Sequence, residues 1–499
     1  MASSGEQALA GGYAGDFLRG LLGLRQQWLD VDQNPKAIAT VSTLLGRMVL
    51  NVVFVGALSV TGYFSASLLV LIAITLVGCS LFPERRLLIM SLAGLFYVLA
   101  RPFRSDQQRD LVLGLKDSTP AVAELPAIAV YAPVVASFLL VCGICLHLQK
   151  RFSQYLLAQR PVLMQFLVLA GLTILAVQLP DHSLAKLLVW SFVTVYSASF
   201  FFLAYAFADQ RAKDQTPVGL RLGFMRPFWG GSSIPLKGLH FFKRFEAKTP
   251  EELSKVQLRA LKLAVWAVIL SLVYLVCDFI LHDWLKLPRM LEAIGLVSTG
   301  EGLSRGAAWG VVGANFILDV IGLAAGTHAL VAIVRMAGYG IPRNVSRPLT
   351  SRSVAEFWNR YFYYFKELLV DFFFYPAFVR YFKKSPKLRI AFATFCAAFV
   401  GNVLFSVLSQ MHLFNTGGIV DVALHFENYM FYALLLTAAL IVSQLNPNKP
   451  KPEHGHLRYN VLPRVQVLGF FALLQVFSDE TGIYGLAERF DFLGHLFLL

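Results

Sequence analysis

Asn402, Ser406 and Gln410 recur at i, i+4, i+8 spacing within the apolar run Ile390–Met411. That spacing puts the three side chains on one face of a helix, as a polar stripe. An amide is no general base near neutral pH, but it can orient a substrate or donate to a developing oxyanion. The same stripe would equally serve to hydrogen-bond packed helices to one another. His412 and His425 lie at or beyond the end of this run. Imidazole titrates in the range a general base needs, and Glu427 is close enough in sequence to orient His425. A second polar set occupies the run Trp309–Val334, where Asn315 and Asp319 share a helix face, His328 lies further along, and Gly322 and Gly326 permit close helix approach. Asp319, and Asp371 in LLVDFFFYP, are carboxylates in apolar surroundings, each costly unless it faces a partner or a cavity. No pair of histidines recurs at helix-turn distance, and His454 with His456 lies in a Pro-rich loop, so no metal centre is expected.

The element that would position these groups is the segment Asn344–Pro376, which places charged, aromatic and apolar residues in one stretch. Ser353 and Glu356 have capping-box spacing, so a helix is expected from Val354, preceded by Arg343, Arg347 and Arg352. Downstream the run is apolar except for Asp371 and is bent or ended by Pro376. It reads as a re-entrant helix over 354–381 that dips into a bilayer without crossing it. Thr249, Pro250 and Glu252 supply a cap, a first-turn proline and a reciprocal carboxylate, which predicts a second helix start leading into the membrane.

The pattern R-P-L-x-S-x-S-x-x-E-F-W-x-R, followed by an apolar helix closing on Asp, aromatics and Pro, resembles the signature of the membrane-bound O-acyltransferase family. The matching residues are Arg347, Pro348, Ser353, Glu356, Phe357, Trp358, Arg360, Asp371, Tyr375 and Pro376, and the resemblance runs from about Pro235 to the C-terminus. The sequence departs from the family at Phe362, where a His or Asn is common, and at Asn402, which stands in the place of the principal histidine. The resemblance implies an acyl donor, acyl-CoA or an acyl carrier, presented on the cytoplasmic side as a substrate with no bound cofactor. It also implies an acceptor hydroxyl from outside, on a cell-envelope or exported molecule, and an acyl carrier or envelope-assembly protein as partner. On this reading Asn402 contacts substrate or oxyanion, His412 or His425 is the base, and Ser406, Gln410, Trp358, Arg360, Asp371 and Asp319 line the substrate tunnel. Two other readings stay open: a catalytically degenerate relative that binds lipid or scaffolds an envelope assembly, and a transporter using Asp319 and Asp371 as membrane carboxylates.

Composition fixes the class independently. With 57% hydrophobic and 15% charged residues and a mean hydropathy of +0.61, the chain reads as an all-α polytopic membrane protein. Apolar stretches at Met48–Tyr63, Ala66–Phe82, Leu87–Ala100, Leu125–Leu148, Pro161–Leu179, Leu184–Ala208, Leu261–Leu281, Trp309–Val334, Ile390–Met411, Tyr429–Leu445 and Val465–Phe477 predict about eleven spans. The expected organisation is an interfacial amphipathic segment over 1–44, a first bundle over 45–208, a cytoplasmic loop and helix start over 209–260, and a core over 261–499. The Lys and Arg distribution places the N-terminus inside, and the resemblance implies a bacterial cytoplasmic membrane. The net charge of +14 is then explained by basic loops beside anionic head groups, with no nucleic-acid recognition module accompanying it. Phe17, Leu18, Leu21, Leu22, Leu24, Trp28 and Leu29 recur at helical spacing, as expected of a helix lying in the interface. His240, Lys243 and Arg244, beside Phe241, Phe242 and Phe245, are suited either to a phosphorylated donor or to a lipid-facing belt. GGSSIPLKG lacks P-loop spacing, all five cysteines lie in apolar spans, and ERFDFLGHLFLL reads as a terminal amphipathic helix.

Overall fold

The computed structural model describes residues 23, 25–152, 154, 159–211, 215–230, 237–446 and 452–497. Most of the expected N-terminal amphipathic helix, and the GSSIPL part of the glycine-rich loop, lie outside the described residues. What is described is helical throughout, with one isolated bridge between Glu246 and Tyr339 in place of any sheet.

Among the described residues eight helices are long and apolar enough to cross a membrane: Ala127–Arg151, Pro161–Gln178, Leu184–Gln210, Pro250–Trp284, Arg305–Met336, Pro386–Ser409, Glu427–Leu445 and Leu457–Phe477. Each covers one of the apolar runs in the sequence. The first three runs form helices of 17, 16 and 15 residues, Leu44–Val60, Ala66–Leu81 and Arg86–Ala100. At about 1.5 Å per residue these fall short of the roughly 30 Å hydrocarbon core. They sit in bent pairs, Pro35–Ser42 with Leu44–Val60 at 99° and Ala66–Leu81 with Pro83–Ala100 at 119°. The count of eleven full-length spans is therefore not reproduced, because chain length rather than hydropathy limits these three. The chain is a polytopic helical membrane protein, and large apolar side chains such as Leu45, Val52, Ile74 and Val442 cover its outer surface.

Leu184–Gln210 is the innermost helix, 78% buried over its apolar window, against 22% for Pro250–Trp284. Its buried Ser191, Thr194 and Ser197 hydroxyls donate to carbonyls of the preceding turn, Ser191 to that of Leu187 at 2.7 Å. Around it an aromatic chain ties the first bundle to the C-terminal core: Phe201 stacks on Phe405 at 5.7 Å, and Phe405 meets Phe365 at 4.8 Å. The helix from Pro250 packs along Arg305–Met336 through buried Ala260, Ala264, Ala267 and Ser271, small residues that let two backbones approach. Asp32 anchors the segment before Leu44 by pairing with Arg259 at 2.7 Å and with Lys262.

Both predicted caps form. Thr249 Oγ1 accepts from the Glu252 N–H at 3.1 Å, and Ser353 Oγ accepts from the Glu356 N–H at 3.1 Å while Glu356 accepts from the Arg352 N–H at 2.7 Å. The segment after Ser353 is broken at Phe362 and stays helical through Pro376, where the sequence predicts the bend: Val354–Tyr361, a kink at Phe362, Tyr363–Leu369, a π-helical turn Val370–Phe374, then Tyr375–Arg380. A second π-helical turn, Cys396–Gly401, lies against the first. Gly401 is required there, since a Cβ would lie 2.8 Å from both Leu369 and Phe373 side chains.

Candidate functional site

Helix Asn402–Ser409 stands between a cavity and a hydrogen-bonded seam. Val403, Leu404 and Val407 line a cavity of about 1330 Å³, while Asn402 and Ser406 are buried on another face. Among the described residues the polar stripe lines neither this cavity nor a second, smaller one; it forms a seam between elements. Asn402 Oδ1 accepts from the Tyr429 hydroxyl at 2.7 Å. Ser406 donates to Glu480 Oε1 at 2.7 Å, and the Gln410 amide donates to the Glu480 carbonyl at 3.0 Å and to Oε2 at 3.3 Å. Glu480 is the hub, and no periodic pattern in the sequence marks it.

The loop that presents Glu480 is fixed from below. Arg489, fully buried in the terminal helix Leu486–Phe497, pairs with Asp479 at 2.9 Å and donates to the Val476 carbonyl. Glu427 accepts from the Leu486 N–H at 2.8 Å, so it holds this loop and does not orient His425. Arg104, whose guanidinium lies 4.5 Å over the Phe405 ring, is close enough to Glu480 for their charges to interact. Burial pushes the Arg104 pKa down to about 10, against the pull of Glu480.

His425 Nε2 lies 2.9 Å from the Glu480 carbonyl oxygen and 3.2 Å from Gln410 Oε1. Both partners are acceptors, with the Gln410 amide oriented by its donations to Glu480, so Nε2 carries the hydrogen. The free lone pair, on Nδ1, faces Gly482, which has φ +67° and no room for a Cβ. His412, half-buried beyond the end of the helix, has its pKa lowered by burial and then by the nearby His425. Neither histidine lines either of these two cavities.

The larger cavity is lined by the basic residues Arg160, Lys237, His240, Arg244 and Arg380, by Asp209 and Asp371, and by an apolar set that includes Phe372, Phe373, Phe399 and valines. Lys237 bridges Glu367 at 2.7 Å and Asp371 at 3.0 Å. Burial disfavours the Lys237 charge, but these two carboxylates outweigh it and raise its pKa. A second cavity of about 720 Å³ is lined by Asp319, Trp358, Tyr361, Phe362, Tyr432 and Ser478 among others. Asn315 donates to Gln475 Oε1 at 2.9 Å beside it. Of the residues singled out in the sequence, Asp371 lines the larger cavity, Asp319 and Trp358 the smaller, and Asn402, Ser406, Gln410 and His425 the seam. Arg360 lines neither cavity, pairing instead with Glu356 at 2.7 Å.

Sequence reasoning passed over Glu480, Arg104, Tyr429, Lys237 and Glu367. The one available signal was Glu480 three residues past the last apolar run, in SDET. No protein-family model matches the chain, and no curated protein matches it. The resemblance to the membrane-bound O-acyltransferases rests on the motif residues alone.

Proposed function

We propose that this protein is a membrane-embedded O-acyltransferase that moves an acyl group from a donor at its cytoplasmic face to a hydroxyl on a cell-envelope or exported acceptor. One observation carries the reading. A cavity with a basic set and an apolar set in its lining ends on the helix whose neighbouring face holds Glu480 in a buried polar seam. A phosphorylated donor such as acyl-CoA or an acyl carrier has the complementary form, an anionic head and an apolar chain. Arg160, Lys237 and Arg244 would meet the head, and Phe372, Val403 and Val407 the chain.

In this reading Glu480, held by Ser406 and Gln410, is the general base toward the acceptor hydroxyl. The Arg104 guanidinium favours the charge that develops on the carbonyl oxygen. His425 fixes the loop. The orientation is that of the Lys and Arg distribution, N-terminus inside, in a bacterial cytoplasmic membrane. The seam moves the base from a histidine on the helix to a carboxylate on the following loop, which answers the departure at Asn402.

The test is transfer of radiolabel from acyl-CoA or acyl carrier to an envelope extract by the purified protein in lipid. Transfer by wild type, abolished in Glu480→Gln with donor binding unchanged, is the expected result. A non-catalytic lipid-binding role is favoured by the placement of both histidines, and of Glu480, away from either cavity. Donor bound tightly by wild type without any turnover would establish that role instead.

A further inference from the structure

The smaller cavity has a composition that the acyl-transfer reading does not use. Close to half of its lining residues are aromatic, among them Tyr63, Tyr274, Trp358, Tyr361, Phe362 and Tyr432. Its one ionisable acid is Asp319, and no Lys or Arg lines it. Asp319 lies in the middle of the Arg305–Met336 helix and is nonetheless exposed, because it opens into the cavity. Among the described residues its polar contact is the Asn315 amide at 3.5 Å, and no ion pair involves it. That amide is already committed to Gln475 at 2.9 Å.

A carboxylate at membrane depth without a cationic partner is costly, and the missing charge is one a ligand can supply. Aromatic faces around a carboxylate are the environment that recognises an ammonium group, because ring quadrupoles and the full negative charge act in the same direction. A phosphate would bury its own charge uncompensated here. A polyol would find hydroxyls such as those of Thr61, Tyr361, Tyr432 and Ser478, but it would leave Asp319 without a counter-charge. Val60, Tyr63 and Leu275, which line the cavity, are 56%, 46% and 59% exposed; Val60 and Leu275 lie on helices whose outer faces are apolar, and Tyr63 in the turn between two such helices. Access is therefore sideways from the hydrocarbon, which selects a ligand with an apolar chain.

We propose that the cavity around Asp319 binds a cationic amphiphile, an alkyl chain bearing an amine or quaternary ammonium head, admitted laterally between the segment at Thr61–Tyr63 and the Pro250–Trp284 helix. This site is independent of acyl transfer, and it stands or falls by binding alone.

The experiment uses the full chain in lipid nanodiscs and a diazirine-bearing alkyltrimethylammonium as photoprobe, with cross-linked peptides mapped by mass spectrometry. Competitors of the same chain length are an alkyltrimethylammonium, an alkyl alcohol and an alkyl sulfate. The expected result is labelling of the peptides that carry Asp319 or Tyr361, competed at least tenfold more effectively by the ammonium than by the alcohol or the sulfate. Asp319→Asn should weaken that competition at least tenfold, Trp358→Leu several-fold, while Asp319→Glu, which keeps the charge, should retain it. Monodispersity of each variant separates lost binding from lost folding, and Asp319→Glu decides the matter if Asp319→Asn does not fold. Equal competition by ammonium and alcohol, or labelling unchanged in Asp319→Asn, would overturn the proposal and leave an apolar lipid cavity with no charge preference. Stronger competition by the sulfate would overturn it too.

Discussion

His425 holds Glu480 by its main chain, with Nε2 at 2.9 Å from the carbonyl oxygen, while Ser406 and Gln410 hold the carboxylate of the same residue. The backbone grip and the side-chain grip come from different helices and the loop between them. The carboxylate is thereby fixed at the join between the Asn402–Ser409 helix and the loop after Phe477, and the imidazole serves as a fastening.

Glu480→Gln tests that division of labour. The amide keeps the shape and can still accept from Ser406, so folding should change little. Transfer activity should fall by about 100-fold or more, the usual contribution of a general base. His425→Ala should lower the melting temperature and reduce transfer less than Glu480→Gln does. A larger loss of turnover in His425→Ala, with the protein still folded, would return the base role to the imidazole.

Arg489 is the support beneath this loop, and its removal should cost more than that of any surface arginine. Arg489→Met leaves Asp479 unpaired and the Val476 carbonyl without its donor. Breaking one side of a buried pair costs about 3–5 kcal/mol. The variant should show a clearly lowered melting temperature in detergent and lose activity as Glu480→Gln does. Arg360→Met, at the half-exposed pair with Glu356, should shift the melting temperature hardly at all.

These relationships show what was legible in the sequence. The helix starts at Val354 and Pro250 were readable because a cap and its reciprocal carboxylate lie within four residues. Asn402, Ser406 and Gln410 were readable as one face for the same local reason. What that face meets was not readable, because Glu480 lies 74 residues from Ser406 and is carried by an irregular loop with no period. The stripe read equally as a tunnel wall or as a seam between packed helices; it hydrogen-bonds Glu480 and Tyr429, and the wall of the larger cavity is the apolar Val403, Leu404, Val407 face beside it. The three N-terminal helices show the opposite failure: hydropathy was correct, but their lengths fall below a full crossing.

Asp32 gives the protein a defined acid sensitivity at its N-terminal attachment. Burial raises its pKa, but the hydrogen bonds and charges of Lys262 and Arg259 outweigh burial and hold it below the ordinary aspartate range. A group depressed on folding contributes stability that is present above its unfolded pKa, about 4, and is lost as pH falls through the lower folded value. Asp32→Asn should therefore lower the melting temperature at pH 7, and the gap to wild type should shrink as pH drops below about 4. A gap that stays constant down to acid pH would show that the ion pairs contribute nothing to holding this segment.

Gly482 and His425 should prove energetically coupled. Gly482 has φ +67°, and a Cβ there would overlap the His425 ring at Nδ1. Gly482→Ala should destabilise by about 1–3 kcal/mol, combining the left-handed backbone cost with displacement of the imidazole. His425→Ala alone should cost about 1–3 kcal/mol, because it leaves the buried Glu480 carbonyl and Gln410 oxygen short of a donor. In the double variant the overlap is gone, and only the backbone cost of the Gly482→Ala change adds to the loss of the ring. The total should therefore be smaller than the sum of the singles. Thermal unfolding of the four proteins measures the coupling. Strict additivity would show that the imidazole does not rest on Gly482, and would free Nδ1 to act as a base.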